Sequence, residues 1–270
     1  MASTEKDTWS AKEYNDKASF VYSDKFTSPV LTLLDPKPGE RIIDFGCGSG
    51  ELTLKLEHIV GDDGLVIGID ASESMISKAK ENGLQHAFVH DIQKKIETPA
   101  PFSVPLINSF DAVFTNAALH WCKRDPKGVL ESAKSVLKPG GRFVGEMGGF
   151  LNVVGVRSAI HSVLRKRGYD PLQLDPWYFP SSEAYTKLLT SAGFSVKSIG
   201  LHPRITPLPG PLYDWVWLFG RESYFSGFSD EEAREICNEV QSICETDCRD
   251  ESGKWSIMYS RLRLTKHFLE

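Results

Sequence analysis

Asp44-Phe45-Gly46-Cys47-Gly48-Ser49-Gly50 follows the apolar run Arg41-Ile42-Ile43 and precedes Leu52, Leu56, Ile59 and Val60 at helical spacing. A glycine turn between a strand and a helix lets a ligand approach the backbone, since no side chain stands in the way. The dinucleotide fingerprint needs a third glycine or alanine three residues after the second. Glu51 stands there, and Gly50 comes one residue too early. Asp44, at the strand end, would repel a pyrophosphate and attract an ammonium group. Asp70 closes the next apolar run, where an acid can accept hydrogen bonds from both hydroxyls of a ribose. Asp91 follows the third run, Ala87-Phe88-Val89, and would point into the same crevice. An NAD-dependent dehydrogenase is therefore disfavoured. The turn suits S-adenosylmethionine, which carries an amino group and a ribose diol but no phosphate.

These acids converge only if a scaffold brings their strand ends together. Leu65 to Asp70, Ala87 to Val89, Phe110 to Phe114 and Arg142 to Glu146 read as further strands. Between them, Ser72 caps a helix that turns Met75, Ile76 and Ala79 inward, and Asp125-Pro126 opens one with Val129, Leu130, Ala133, Val136 and Leu137 inward. Strands alternating with helices predict an α/β fold, a doubly wound and mostly parallel sheet. After Gly149 the alternation loosens into a helix at 152–167, a tract rich in Pro and aromatics at 170–180, a helix through Tyr185, Leu188 and Leu189, and a sixth strand at 194–201. Ser229 and Glu232 form a capping box for a long helix, and alternation from Trp255 to Phe268 predicts a seventh strand. The expected organisation is a seven-stranded core (37–202 and 255–270), a helical cap (203–254) inserted before the last strand, and an N-terminal helical lid segment (1–36).

With 270 residues, 41% of them hydrophobic, the chain can bury a large core. A net charge of −5 gives no basic field for nucleic acid or an anionic membrane, and no apolar run reaches bilayer-spanning length. Five cysteines, an odd count, argue against a disulfide framework and for a reducing compartment. A cytoplasmic protein, a monomer or weak homodimer with a small-molecule partner, is expected. Cys237, Cys244 and Cys248 continue the apolar stripe of the long helix, so they read as buried thiols, and no metal site is expected.

Several segments in one order resemble the class I methyltransferases, and more closely the branch that includes trans-aconitate methyltransferase. They are Asp44 to Gly50, Gly68-Ile69-Asp70-Ala71-Ser72-Glu73-Ser74-Met75, His90-Asp91-Ile92, Phe114-Thr115-Asn116-Ala117-Ala118-Leu119-His120-Trp121 and Leu137-Lys138-Pro139-Gly140-Gly141. The resemblance covers residues 9 to 150 well and the remainder only in general plan. It implies a Rossmann-like methyltransferase fold in which Gly46, Cys47 and Gly48 contact the methionine moiety and Asp70 and Ala71 the ribose. It also implies that Met75 lies along the adenine beside Ile92, that Asp91 accepts from the exocyclic amine, and that Asn116 and Ala117 form the cofactor floor. Tyr14 resembles an N-terminal tyrosine that folds over the cofactor in that branch.

Methyl transfer from a sulfonium is an in-line displacement, so alignment and exclusion of water are the protein's main work. A carboxylate acceptor is already ionised at neutral pH, whereas a phenol or amine would gain from a base. His120 is the candidate base, with loop orientation or substrate hydrogen bonding as its other readings. Trp121, Arg157, His161, Trp177, Tyr178 and Arg204 are the candidates for holding an acid, Trp121 and Arg204 foremost. The Tyr213 to Phe219 cluster either lines an apolar pocket or packs a helix onto the core. O-methylation of a carboxylate is expected. The alternatives are methylation of a phenol or amine, and a cofactor-binding protein or cyclase that transfers no methyl.

Overall fold

The computed structural model describes residues 24–97 and 105–268, with side chains from Thr27 to Thr265. Tyr14 and most of the 1–36 segment lie outside the described residues. Seven strands form one sheet: β1 (Arg41–Phe45), β2 (Leu65–Asp70), β3 (Ala87–Val89), β4 (Phe110–Asn116), β5 (Leu137–Gly148), β6 (Phe194–Pro207) and β7 (Ser256–Phe268). Their order is β3-β2-β1-β4-β5-β7-β6. The pairs from β3 through β5 are parallel, and β7 runs antiparallel between β5 and β6. The sheet is thus mostly parallel, as its near-continuous apolar strands require when both faces are covered. The chain reverses at β1 and β4, and ligands of such sheets bind outside the strand ends there.

One face is covered by α1 (Asp24–Leu34) and α2 (Glu51–Val60), whose Val30, Leu34, Leu52 and Leu56 meet Ile42, Ala112, Phe114 and Val144. The other face is covered by α4 (Pro126–Val136) and α7 (Ser182–Ser191) over Ile43, Phe45, Val113, Phe143 and Leu264. Helix α3 (Glu73–Glu81) begins where the Ser72 hydroxyl accepts the Met75 amide, and α4 where the Asp125 carboxylate accepts the Gly128 amide. A separate apolar cluster unites α5 (Val156–Lys166), α8 (Leu212–Gly220) and α9 (Asp230–Cys248) with Ile257 and Tyr259 of β7, and Leu174 of the short α6 (Pro171–Leu174) packs against it. Cys237 and Cys244 belong to it, on the inner face of α9.

Three boundaries differ from the expectation. β5 begins at Leu137 rather than Arg142, with a register shift opposite Phe110 and Ala112 that admits Pro139-Gly140-Gly141. β6 continues to Pro207, through Pro203. An edge strand tolerates proline because one side of it makes no ladder. The helix expected from Asn152 starts at Val156, because residues 149 to 153 are held to β7 instead. The Gly149 amide donates to Ser260, the Val153 amide to Met258, and the Ser260 amide to Asn152 Oδ1.

Candidate active site

At the first turn the Gly46 and Cys47 amides both donate to the Ile69 carbonyl, at 2.8 and 3.0 Å. Gly46, Gly48 and Gly50 all have positive φ. A Cβ on Gly46 would lie 2.2 Å from the Ala118 Cβ, so the turn rests directly on the 116–118 segment. Asp70 is fixed from both sides: Oδ2 accepts the Gly48 amide and Oδ1 the Ser72 amide, each at 2.9 Å. Asp44 is buried, with Oδ2 accepting the Thr53 hydroxyl at 2.7 Å. Burial pushes its carboxyl up to about 7, against the Thr53 hydrogen bond and with help from the Asp70 charge. The Cys47 thiol is raised well above the ordinary range by burial and by Asp70 and Asp44, so its sulfur is inert.

Asp91 is more heavily engaged than the sequence implied. Oδ1 accepts the Gln93 amide and side chain, and Oδ2 faces both Arg124 at 3.1 Å and Lys94 at 4.0 Å. Ile92 is buried in the main core, Met75 is 5% exposed, and Ala71 is exposed at the rim. Ala117 has a φ of 57° without being glycine, and its amide is tied to the Glu146 carbonyl at 2.7 Å. Acidic side chains gathered around a glycine turn, Asp44 on β1 and Asp70 at the end of β2, fit a sulfonium amino acid joined to a nucleoside.

Beyond Ala117 opens a cavity of about 440 Å³, including space open to solvent. Its walls are His120, Trp121, Asn152, Val153, Trp177, Phe179, Trp215, Phe219, Tyr259 and Arg261. Strained backbone gathers here: Leu151 and Val153, like Ala117, have positive φ. His120 is buried and receives the Gly148 amide on Nδ1 at 3.3 Å. That hydrogen bond assigns the ring hydrogen to Nε2. Desolvation, with the Arg261 charge beside it, lowers His120 to about 3, so the ring is neutral at physiological pH.

Residues 36–149 match the methyltransferase domain family. An uncharacterized methyltransferase of Schizosaccharomyces pombe is 38% identical over 269 residues, 97% of this chain and 98% of that one. The chain belongs to the class I S-adenosylmethionine-dependent methyltransferases. A 2-phytyl-1,4-naphtoquinone methyltransferase of Synechococcus elongatus is 30% identical over 172 residues, 63% of this chain and 68% of its own. The fold is shared with geranyl diphosphate C-methyltransferase from Streptomyces coelicolor, crystallised with S-adenosyl-L-homocysteine: TM-score 0.50, 16% identity, 90% of this chain and 76% of that chain.

Of the sequence candidates for holding an acid, Trp121 and Trp177 line the cavity, whereas Arg157, Tyr178 and Arg204 are not among its walls. Arg157 is bound to Asp175 Oδ2 through Nη2 at 2.6 Å and Nε at 2.7 Å, and His161 approaches the same oxygen at 3.0 Å. Asp175 is 2% exposed and needs those partners, so Arg157 and His161 both serve the segment carrying Trp177, whose amide Asp175 also accepts. Tyr178 packs against the main core. Arg204 lies over the Tyr259 ring at 5.8 Å. The aromatic cluster divides by helical phase: Trp215 and Phe219 face the cavity, while Tyr213 and Trp217 stack 6.3 Å apart elsewhere on α8. Asn152, Phe179, Tyr259 and Arg261 were not singled out from the sequence. The β7 alternation put Tyr259 and Arg261 on one face, but only the fold shows that a cavity lies there.

Proposed function

We propose that this methyltransferase O-methylates the carboxylate of a small organic acid, as in the trans-aconitate-like branch. The observation that carries this reading is the chemistry of the cavity wall. Among the described residues lining it there is no carboxylate or lysine, and the free lone pair of His120 is occupied by the Gly148 amide. A wall that supplies no base suits an acceptor already ionised at neutral pH, which a carboxylic acid is and a phenol or alkylamine is not. When bound, S-adenosylmethionine supplies the electrophilic methyl group. Asp44 and the glycine turn orient its amino-acid end and Asp70 its ribose, Met75 and Asp91 border the base, and Asn116 and Ala117 form the floor. His120 offers Nε2–H to an acceptor oxygen rather than removing a proton. Trp121, Trp177 and Trp215 hold the acceptor body and exclude water.

In this reading the cap read from sequence at 203–254, which begins only after Pro207 where β6 ends, shapes the acceptor pocket of a cytoplasmic, monomeric or weakly dimeric enzyme. No helix among the described residues is long and apolar enough to cross a membrane. The experiment is incubation with methyl-labelled cofactor and matched panels of small carboxylic acids, phenols and amines. Label in base-labile methyl esters is the expected result. Label confined to ring carbons or phenols would replace it with the second reading, an aromatic or quinoid acceptor, favoured by the aromatic cavity and the naphthoquinone-methylating relative. Label remaining wholly in intact cofactor would favour a binding protein.

A further inference from the structure

The geometry points to Arg261 as an anion-binding subsite that holds a second, non-reacting acidic group of the acceptor, a carboxylate or a phosphate. This rests on the methyl-transfer reading above. Arg261 lines the cavity and is 6% exposed. Among the described residues its guanidinium makes no hydrogen bond, and Nε is buried without one. Its ion pair is a long one, 3.7 Å to Glu146 Oε1, and Glu146 already accepts Arg263 Nε at 2.5 Å on the other oxygen. Cross-strand register sets His202 and Arg204 of β6 beside Arg261 and Tyr259 of β7. The Tyr259 ring therefore has the Arg261 guanidinium 4.4 Å from its centre and that of Arg204 at 5.8 Å. One buried carboxylate thus faces two guanidinium groups, with a third close by. A buried cation left short of hydrogen bonds is costly, and an anion entering the cavity would supply them.

The reaction itself decides which group of the acceptor binds there. In carboxylate methylation the O–CH3 bond forms as the S–CH3 bond breaks, the electron pair goes to sulfur, and the products are a neutral ester and thioether with no proton released. A guanidinium on the reacting oxygen would lose its partner along that path and so would raise the barrier. Arg261 can assist only by gripping a group whose charge persists.

Three tryptophans in the wall give a readout independent of turnover. Fluorescence titration of the full chain, saturated with S-adenosylhomocysteine, would use 2-naphthoate, 2-naphthyl phosphate and neutral 2-naphthamide. Both anions are expected to bind at least about tenfold more tightly than the amide. Preference between them assigns the source of the charge. Arg261→Gln is expected to erase the anion advantage and leave naphthamide and S-adenosylhomocysteine affinities unchanged, with Arg261→Lys intermediate. Equal affinity of the wild type for naphthoate and naphthamide, or undiminished naphthoate binding by a folded Arg261→Gln, would overturn the proposal. With an acid that accepts label, Arg261→Gln should raise KM and leave kcat within about threefold. A rise in kcat would instead place Arg261 on the reacting group and overturn the assignment. Absence of ester formation with anion selectivity intact would unseat O-methylation alone; ester formation unaffected by Arg261→Gln would unseat the subsite alone.

Discussion

At the scale of single residues, Asp44 carries an electrostatic conflict. Its burial favours the protonated form near neutrality, with a carboxyl at about 7, while an ammonium group beside it would demand the ionised form. Binding and deprotonation are therefore linked. Affinity for S-adenosylhomocysteine is expected to rise as pH increases through about 7, and Asp44→Asn should flatten that dependence in a calorimetric series. A pH-independent affinity in the wild type would remove Asp44 from the amino-group role. Asp70 has a different dependence on its surroundings, because two amides already fix its orientation. Asp70→Ala is expected to weaken cofactor binding by about 1–3 kcal/mol, read by the same calorimetry. His120 is held near 3, far below the range in which the enzyme would be assayed. Replacing it with phenylalanine should lower kcat/KM by about 1–3 kcal/mol through loss of a donor, while the pH–rate profile between about 5 and 9 keeps its shape. A limb near pH 6–7 that vanishes in His120→Phe would restore the base role.

At the scale of elements, the first βα turn is constrained by what lies over it as much as by its own dihedrals. Gly46 and Gly39 share nearly the same φ, 77° and 79°, yet a Cβ on Gly39 meets nothing within 4 Å and one on Gly46 meets Ala118 at 2.2 Å. Gly39→Ala should thus cost only the strain of a left-handed residue, about 1–2 kcal/mol. Gly46→Ala should cost clearly more, because the 116–118 segment must move and the β5 contact through Ala117 moves with it. Thermal unfolding of the pair checks this, and equal losses would mean that the floor yields easily. The elements themselves were legible wherever one signal dominated: apolar runs closing in acids gave β1, β2 and β3, and Ser72, Asp125 and Ser229 marked helix starts. The start of α5 was not legible, because Asn152 and Val153 have apolar and polar neighbours at helical spacing but are claimed by β7, more than a hundred residues away in sequence. β6 was read too short for a related reason, since Pro203 argues against a strand unless the strand is known to be an edge.

At the scale of the whole molecule, two apolar layers enclose the sheet and a third cluster packs on the start of β7, while the cavity reaches Ala117 beside the glycine turn. The proton held by Asp44 also affects the fold as a whole. Its folded value lies above the ordinary carboxyl value of 3.8, so the native state retains a proton that the unfolded chain has released. The stabilisation this gives is complete below pH about 4 and is lost as pH rises toward 7. Apo-protein melting temperature should fall across that window by more than in Asp44→Asn, in which every other group still titrates, and a cofactor-saturated sample should fall less. Identical pH profiles for the wild type and Asp44→Asn would contradict the assignment.

Local chemistry alone determined the βαβ scaffold, the glycine turn and the acids at the strand ends, because each depends on residues adjacent in the chain: a run of apolar side chains, a cap, a turn that only glycine can make. The lining of the cavity was decided by tertiary structure. Arg157 and Arg204 are as basic in sequence as Arg261, but a buried aspartate claims the first and an edge-strand register sets the second behind Tyr259. Which guanidinium reaches the cavity depends on how β7 inserts between β5 and β6, a pairing between segments far apart in the chain that no local pattern encodes.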